Sequence, residues 1–167
     1  MNNKAFTLIE FLIYIGIVGI ILIVTGTIAL NIFFGKAKLV AMEEVSQNAR
    51  MAMEKIGERI RNAQSINSPP MGTSASSLSL LMADSQQNPT VFDLSNGILR
   101  MTENGGSAIS LTSDEVIVTT LQFSNISYPN IPGTMRIQIT MKYVNPENKS
   151  EYNVEKTFYT TANIRKK

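Results

Sequence analysis

The 167-residue chain contains no cysteine, no histidine and no tryptophan. The absence of cysteine excludes disulfides, thiolate metal sites and cysteine nucleophiles. The absence of histidine removes the most common general base, the Ser-His-Asp triad and nearly all zinc sites. Lys and Arg total 15 against 13 Asp and Glu, and a formal net charge of +2 is smaller than a nucleic-acid-binding protein usually carries. The composition therefore argues against most enzymes, and we expect no catalytic residue and no cofactor.

One long stretch of the chain contains no charge, namely residues 11–35, FLIYIGIVGIILIVTGTIALNIFFG. As a helix, this segment would be about 37 Å long, which is enough to cross a bilayer core with some tilt. A cleavable secretory signal would have a shorter apolar run, about 7–15 residues, followed by a small-residue cleavage site. The sequence therefore predicts a membrane-spanning helix. The charges on its two sides, Lys4 and then Lys36 with Lys38, do not determine its orientation.

A short polar leader and a single carboxylate precede this run. The leader ends at Ala5, Phe6 begins the apolar stretch, and Glu10 interrupts it once. A carboxylate costs about 2.5–3.5 kcal/mol at the middle of a membrane and less near its surface, so an acid in such a segment is a functional candidate. The alternative is that Glu10 simply reaches out to the lipid headgroups.

Residues 4–10, KAFTLIE, together with the long apolar helix, resemble the start of type IV pilins and type II secretion pseudopilins. In that family a membrane peptidase cuts before the Phe, the new amine is N-methylated, and a nearby Glu guides assembly. The resemblance implies cleavage between Ala5 and Phe6, N-methylation of Phe6, and an assembly role for Glu10. Ala5 stands where the family usually has glycine.

The same resemblance implies partners and a location. The partners are other pilin or pseudopilin subunits, the prepilin peptidase and methyltransferase, the inner-membrane assembly platform, and membrane lipid. We expect a single-pass protein of the bacterial cytoplasmic membrane, with its leader in the cytoplasm and its head outside, that then enters a filament or its tip. Such subunits are structural and serve pilus assembly, protein secretion or competence.

An amphipathic pattern continues the helix beyond the membrane, to about residue 64. Its apolar positions recur at spacings of three and four: Met42, Val45, Ala49, Ala52, Ile56, Ile60 and Ala63. This spacing marks one face of an α-helix and predicts that the face packs onto the chain's own globular part. In the membrane half, either Thr25-Gly26-Thr27 allows local unwinding, or Gly19 and Gly26 allow the close approach of another helix.

The remainder of the chain has the two-residue period of β-strands. Strands are predicted over residues 90–94, 98–101, 108–111, 115–123, 135–143 and 152–161. The first two form a hairpin with an Asn96-Gly97 turn, and the last two are expected to pair antiparallel. The predicted fold class is α+β, and the chain divides into a leader (1–5), a membrane half of the helix (6–35), an amphipathic half (36–66) and an antiparallel β-sheet head (67–167).

The head offers little for chemistry. It has no EF-hand spacing and no glycine-rich phosphate loop. Asp114 and Glu115 either contribute to a calcium site or form the turn before a strand, and the turn is the simpler interpretation. Arg165, Lys166 and Lys167 are typical of a solvated basic end rather than of a nucleic-acid site. We therefore predict no metal site and no specific nucleic-acid binding.

Four segments resemble a J-type minor pseudopilin or its minor-pilin counterpart: 48–50, 56–63, 111–114 and 158–165. Such subunits lie at or near the filament tip and help to start assembly. The tip-most subunit of type II secretion typically lacks the assembly carboxylate, so Glu10 disfavours that position. Two alternatives stay open: a major, filament-forming subunit, and a membrane-tethered β-domain binding protein that does not polymerise.

Overall fold

The computed structural model describes residues 7–129 and 131–165. In these residues one long helix, α1 (Leu8–Asn62), precedes a head of nine strands. The strands are β1 (Ala63–Ser68), β2 (Ser74–Ala75), β3 (Leu78–Met82), β4 (Thr90–Ser95), β5 (Ile98–Glu103), β6 (Ile109–Ser110), β7 (Val116–Asn125), β8 (Thr134–Tyr143) and β9 (Glu155–Asn163). Two short 3-10 helices, Ser85–Gln87 and Ser150–Tyr152, lie in the connections.

The helix is unbroken through the threonines that flank Gly26. The Thr25 hydroxyl donates to the Ile21 carbonyl at 2.8 Å, and the Thr27 hydroxyl donates to the Ile23 carbonyl at 3.1 Å. Both bonds run back one turn along the same helix, so these side chains are satisfied within it. Hydroxyls satisfied in this way are compatible with an apolar environment, as the membrane prediction requires.

The strands form two antiparallel sheets, with orders β1-β3-β4-β5-β6 and β2-β7-β8-β9. The predicted pairing of the last two strands is confirmed, since Ile139 lies opposite Phe158. The predicted hairpin is also confirmed: Asn96 and Gly97 have φ angles of 52° and 77°, the positive values that a two-residue turn of this type requires. The expected α+β class, a long helix packed on antiparallel strands, is therefore observed.

The second half of α1 packs its apolar face onto the head, as predicted. Its buried apolar residues are Ala41, Val45, Ala49, Ala52, Ile56 and Ile60. They share one core with the inward side chains of β8, which alternate along the strand as Met135, Ile137, Ile139 and Met141. Burying one large side chain of this kind stabilises the fold by about 1.5–3 kcal/mol, so the helix and the sheet form one unit.

The structure corrects several predicted details. The helix ends at Asn62 rather than at residues 64–66, because Ala63 leaves the helical region (φ −68°, ψ 154°) and pairs with Met82 at the start of β1. The head has two sheets where one was expected. The last strand begins at Glu155 rather than at residue 152, because Tyr152 belongs to the preceding 3-10 helix. The short strand predicted over residues 108–111 contains only Ile109 and Ser110.

Candidate functional site

The candidate site is the first turn of α1. Ala5 and Phe6, the predicted cleavage and methylation positions, lie outside the described residues. Thr7 is the N-cap of the helix: its backbone is extended, and its hydroxyl accepts the Glu10 N–H at 3.3 Å. The Thr7 carbonyl accepts the Phe11 N–H at 3.2 Å. These bonds place the start of the helix at Leu8 and bring Glu10 into its first turn.

Glu10 occupies the third helical position, so Thr7 and Glu10 have the Thr-x-x-Glu spacing of a capping box. An acid at this position is favoured by the positive end of the helix dipole, typically by 0.3–1 kcal/mol. This local role was not predicted, although the spacing is visible in the sequence. The Glu10 side chain is exposed and belongs to none of the ion pairs in the described part of the chain.

The helix that follows Glu10 exposes almost all of its large apolar side chains. They include Phe11, Leu12, Ile13, Ile17, Ile20, Ile21, Leu22, Ile23, Leu30, Ile32 and Phe33. The most apolar window has a mean hydropathy of 2.7, and none of it is buried. By length and composition this helix can cross a membrane. The described part of the chain leaves this surface uncovered, so lipid or another protein must cover it.

The glycines in the first half of α1 lie on an exposed surface with open space beside them. A Cβ added at Gly16, Gly19, Gly26 or Gly35 would meet nothing within 4 Å outside the helix's own backbone. Gly19 and Gly26 are seven residues apart and so lie on the same face. Small residues on one face allow the close approach of a second helix in a membrane.

Two of the segments singled out in the sequence meet inside the head. Asn48 is buried in α1; its Oδ1 accepts the Ser113 N–H at 2.9 Å, and its Nδ2 donates to the Glu44 carbonyl at 3.1 Å. The neighbouring Thr112 hydroxyl accepts the Leu99 N–H at 3.3 Å. Residues 111–114 thus connect α1 to β5. This arrangement positions the helix against the head and involves no reactive group.

A second polar contact joins α1 to the first sheet. Arg59 Nη2 lies 2.7 Å from Glu103 Oε1, and Arg59 Nη1 donates to Gln87 Oε1 at 3.0 Å. The Arg59 and Glu103 side chains are only 14% and 24% exposed. A partly buried ion pair is costly to break, so it holds the end of β5 beside the helix.

Asp114 and Glu115 form the turn that leads into β7, and both are exposed. The Glu115 backbone carbonyl accepts the Val144 N–H at 2.9 Å, which ties this turn to the end of β8. Among the residues that the structure describes, no three His, Cys, Asp or Glu side chains are grouped so as to hold a metal ion. Asp114 and Glu115 therefore form the turn before a strand, which is the simpler of the two interpretations.

A long amino-terminal helix packed on antiparallel sheets, with half of the helix bare, defines the pilin-like α+β class. The comparison of sequences agrees at the amino terminus: residues 1–26 match the prokaryotic N-terminal methylation motif. This segment contains Ala5, Phe6 and Glu10, and the motif is that of the type IV pilin-like proteins. The match does not extend to the head. No curated protein and no solved structure matches the chain.

Proposed function

We propose that this protein is a minor pilin or pseudopilin that helps to initiate or cap a type IV pilus or type II secretion pseudopilus. In this proposal the leader is removed between Ala5 and Phe6, and Phe6 is N-methylated. The observation that carries the proposal is an exposed carboxylate, Glu10, in the first turn of an exposed apolar helix. The methylation motif supports the processing. The resemblance of residues 48–50 and 111–114 to a J-type subunit supports the minor role.

The proposed assembly contact is electrostatic. After cleavage the amine of Phe6 would be mostly cationic at neutral pH, because an ordinary α-amino group has a pKa near 8. Glu10 lies four residues further on, which would be about 6 Å along the axis if the helix of the mature chain began at Phe6. A neighbouring subunit shifted by about one turn would bring its Glu10 beside this amine. Two unit charges about 4 Å apart attract by roughly 4 kcal/mol at an effective dielectric constant of 20, before desolvation is subtracted.

This attraction is comparable to the cost of keeping a carboxylate in the membrane, about 2.5–3.5 kcal/mol at its centre. Moving from lipid into a bundle of like subunits would therefore lower the free energy of the subunit. The bare apolar face would pass from lipid to neighbouring helices without exposure to water. The head would travel with it, because the second half of α1 is buried against the sheet.

The test of this proposal uses Glu10→Gln and Glu10→Ala in the full-length chain. Both variants should insert and be cleaved normally, yet fail to co-purify with partner subunits. Thr7→Val is the matched control, because it removes the hydroxyl that caps the helix and keeps the charge of Glu10. We expect Thr7→Val to associate at close to wild-type levels.

Two results would count against the proposal. Wild-type association of Glu10→Gln would mean that Glu10 is only an interfacial residue, and would favour the tethered β-domain protein that does not polymerise. Equal losses in Thr7→Val and Glu10→Gln would mean that Glu10 acts through the helix cap rather than through its charge.

A major, filament-forming subunit is the second candidate, and the uncovered apolar half of α1 fits that role as well. The two roles differ in abundance, because a shaft subunit outnumbers every other pilin-type protein in a filament. Quantitative mass spectrometry of sheared filaments separates them. A minor subunit should be scarce relative to its partners.

A further inference from the structure

The outer edge of β9 is long and unpaired. β9 is the last strand in the order β2-β7-β8-β9, so one of its two sides has no neighbouring strand. It contains nine residues, and its register with β8 has no shift. It contains no proline, and its only charged residues are the first two, Glu155 and Lys156. Proline, bulges and charges are features that usually prevent an edge from pairing, so most of β9 is open to another strand.

The other outermost strands in the described part of the chain are short or irregular. β2 and β6 contain only two residues each. β1 is longer, but its register with β3 shifts twice. Among these four edges, β9 alone therefore offers a long, regular line of backbone groups to a partner.

The free backbone groups of β9 alternate along the strand. The Tyr143 N–H donates to the Val154 carbonyl at 3.0 Å, and the Ile164 N–H donates to the Gly133 carbonyl at 2.8 Å. Val154 and Ile164 flank β9, so the even-numbered residues between them point their backbone groups toward β8. The odd-numbered residues point theirs away from β8: Glu155, Thr157, Tyr159, Thr161 and Asn163. No turn or loop in the described residues bonds to these outward groups.

A groove of about 580 Å³ lies beside this edge, between β9 and the second half of α1. Met53 and Gly57 line its helix side, and Phe158 and Thr160, both only half-buried, line its strand side. Side chains of a strand alternate between its two faces, so every second side chain of an added strand would enter the groove. The others would lie beside Tyr159, which is 61% exposed on the outer face of the sheet. The edge and the groove together therefore fit one extended polypeptide segment.

Two arginines give the groove a net positive charge. Arg50 and Arg61 line its helix side, and Glu54 is the only acid among the described residues that line it. Both arginines are exposed, and neither forms an ion pair within the described residues. Gly57 leaves room for one of them, since a Cβ added at this position would lie 3.1 Å from Arg61 Nη1. The groove therefore favours a segment with an acidic side chain on its inward face.

We propose that the free edge of β9 binds an extended segment of a different protein, which adds to the sheet as a strand antiparallel to β9. Its backbone would pair with the outward groups of Thr157, Tyr159 and Thr161. Its inward side chains would be small or apolar, with an acid facing Arg50 or Arg61. The proposal rests on the function proposed above, in which this chain assembles with different subunits, and it assigns the surface that holds one of them.

The direction of β9 disfavours a second copy of the chain as the occupant. Just beyond β9, the Arg165 N–H donates at 3.2 Å to the carbonyl of Arg61, near the carboxyl end of α1. At the other end of the head, Asn48 in α1 is bonded to Ser113, in the turn that is tied to the end of β8 beside the start of β9. β9 therefore runs in the same direction as α1. Antiparallel pairing of two β9 strands would invert one copy, and the two helices could not then be anchored in one membrane from the same side.

Cross-linking from successive positions along β9 tests the contact. Thr157, Tyr159 and Thr161 are replaced one at a time by the photoreactive residue benzoylphenylalanine in the full-length chain. The variants are produced in cells that supply the native partner subunits, and mass spectrometry locates each cross-link. We expect all three positions to reach one segment of one different protein, and each step forward along β9 to move the cross-link backward along that segment by the same number of residues. The same probe at Ile109, which is 55% exposed on β6, is the matched control and should not reach that segment.

A backbone variant tests whether strand pairing holds the partner. Tyr159→Pro removes an N–H that points away from β8, so the pairing with β8 is kept. It should lower co-purification of the cross-linked protein by about five-fold, the factor expected for one lost hydrogen bond. Tyr159→Thr is the matched control, because it loses the same ring and keeps the N–H. The cross-links come from replacements on an exposed face, so they decide the question even if Tyr159→Pro does not fold.

A charge variant tests the groove. Arg50→Glu should lower co-purification of the same protein by a similar factor, about five-fold, because it places an acid opposite the acidic side chain of the segment. Arg136→Glu is the matched control, since Arg136 is exposed on the outer face of β8, away from the groove. Equal losses in the two variants would refute the role of the groove charge.

Several results would overturn the proposal. A wild-type chain that co-purifies with partner subunits, while no β9 position cross-links to them, would refute strand addition and leave the proposed function intact. Cross-links that scatter over the partner or move forward along it would refute antiparallel pairing, and cross-links to a second copy would assign the edge to self-association. Equal losses in Tyr159→Pro and Tyr159→Thr would show that the ring matters rather than the backbone. Failure of the wild-type chain to co-purify with any subunit would refute the proposed function as well.

Discussion

The two halves of α1 share one continuous helical backbone and differ in what covers them. From Leu8 to Phe34 the large apolar side chains are exposed, whereas the inward face from Ala41 to Ile60 is buried in the head. The first half is apolar on all sides, and the second half is apolar along one stripe. A stripe is covered by the chain's own sheet, but a helix that is apolar all round needs lipid or another protein around it. The comparison therefore separates a region that stabilises the fold from a region whose surface is left for lipid or another protein to cover.

The strongest test of this separation removes the same side-chain atoms from each half. Ile56→Ala should lower the free energy of unfolding by about 2–5 kcal/mol, because Ile56 is fully buried in the core. Ile21→Ala is the matched control on the exposed half, and we expect it to change the stability by less than about 0.5 kcal/mol. Denaturant unfolding of the detergent-solubilised full chain measures both. Equal effects would show that the bare half also supports the head.

The second prediction concerns the polar contact that positions the helix on the head. Asn48→Ala leaves the Ser113 N–H without its acceptor and should cost about 1–3 kcal/mol of stability. Gln47→Ala is the control, because Gln47 is the exposed neighbour on the same helix. The same unfolding measurement compares the two variants. A loss in Gln47→Ala as large as that in Asn48→Ala would point to helix propensity instead of the buried bond.

Features with a local physical cause could be predicted from the sequence. The Asn96-Gly97 turn requires residues that tolerate positive φ, and both are present next to each other. The buried stripe of α1 follows from spacings of three and four, and the alternation of Ile137 and Ile139 follows from the pleat of a strand. In each case a few neighbouring residues determine the outcome.

Features that depend on distant partners could not be predicted. Ala63 and Ile66 are three residues apart, which fits a helix as well as a strand, and the pairing of β1 with Met82 and Leu80 decides between them. The division of the head into two sheets depends on such pairings throughout. Asn48 is polar and does not disturb the apolar spacing of α1, so the sequence gives no sign that it is buried. Its partner, Ser113, lies 65 residues away. The Thr7 cap of α1 is different, since the Thr7-to-Glu10 spacing does show it.

The smallest expected effect concerns pH and Tyr143, the last residue of β8. Burial raises the pKa of Tyr143 above its ordinary value of 10.0, and nearby Glu115 raises it further. A raised pKa means that folding favours the neutral phenol. This contribution is fully present below about pH 10 and is lost as the pH rises through the pKa of the folded state. Tyr143→Phe should therefore flatten the decline in stability between neutral and alkaline pH. An identical decline in both proteins would assign it to other groups.

The central claim is that the bare half of α1 begins with a processed amino terminus. It predicts that the chain extracted from membranes of cells with the prepilin peptidase has lost residues 1–5, and that Phe6 carries one methyl group. Intact-mass analysis with sequencing of the amino-terminal peptide measures both changes at once. A mature chain that still starts at Met1 would contradict the account, whereas a methylated chain that starts at Phe6 is the result that it predicts.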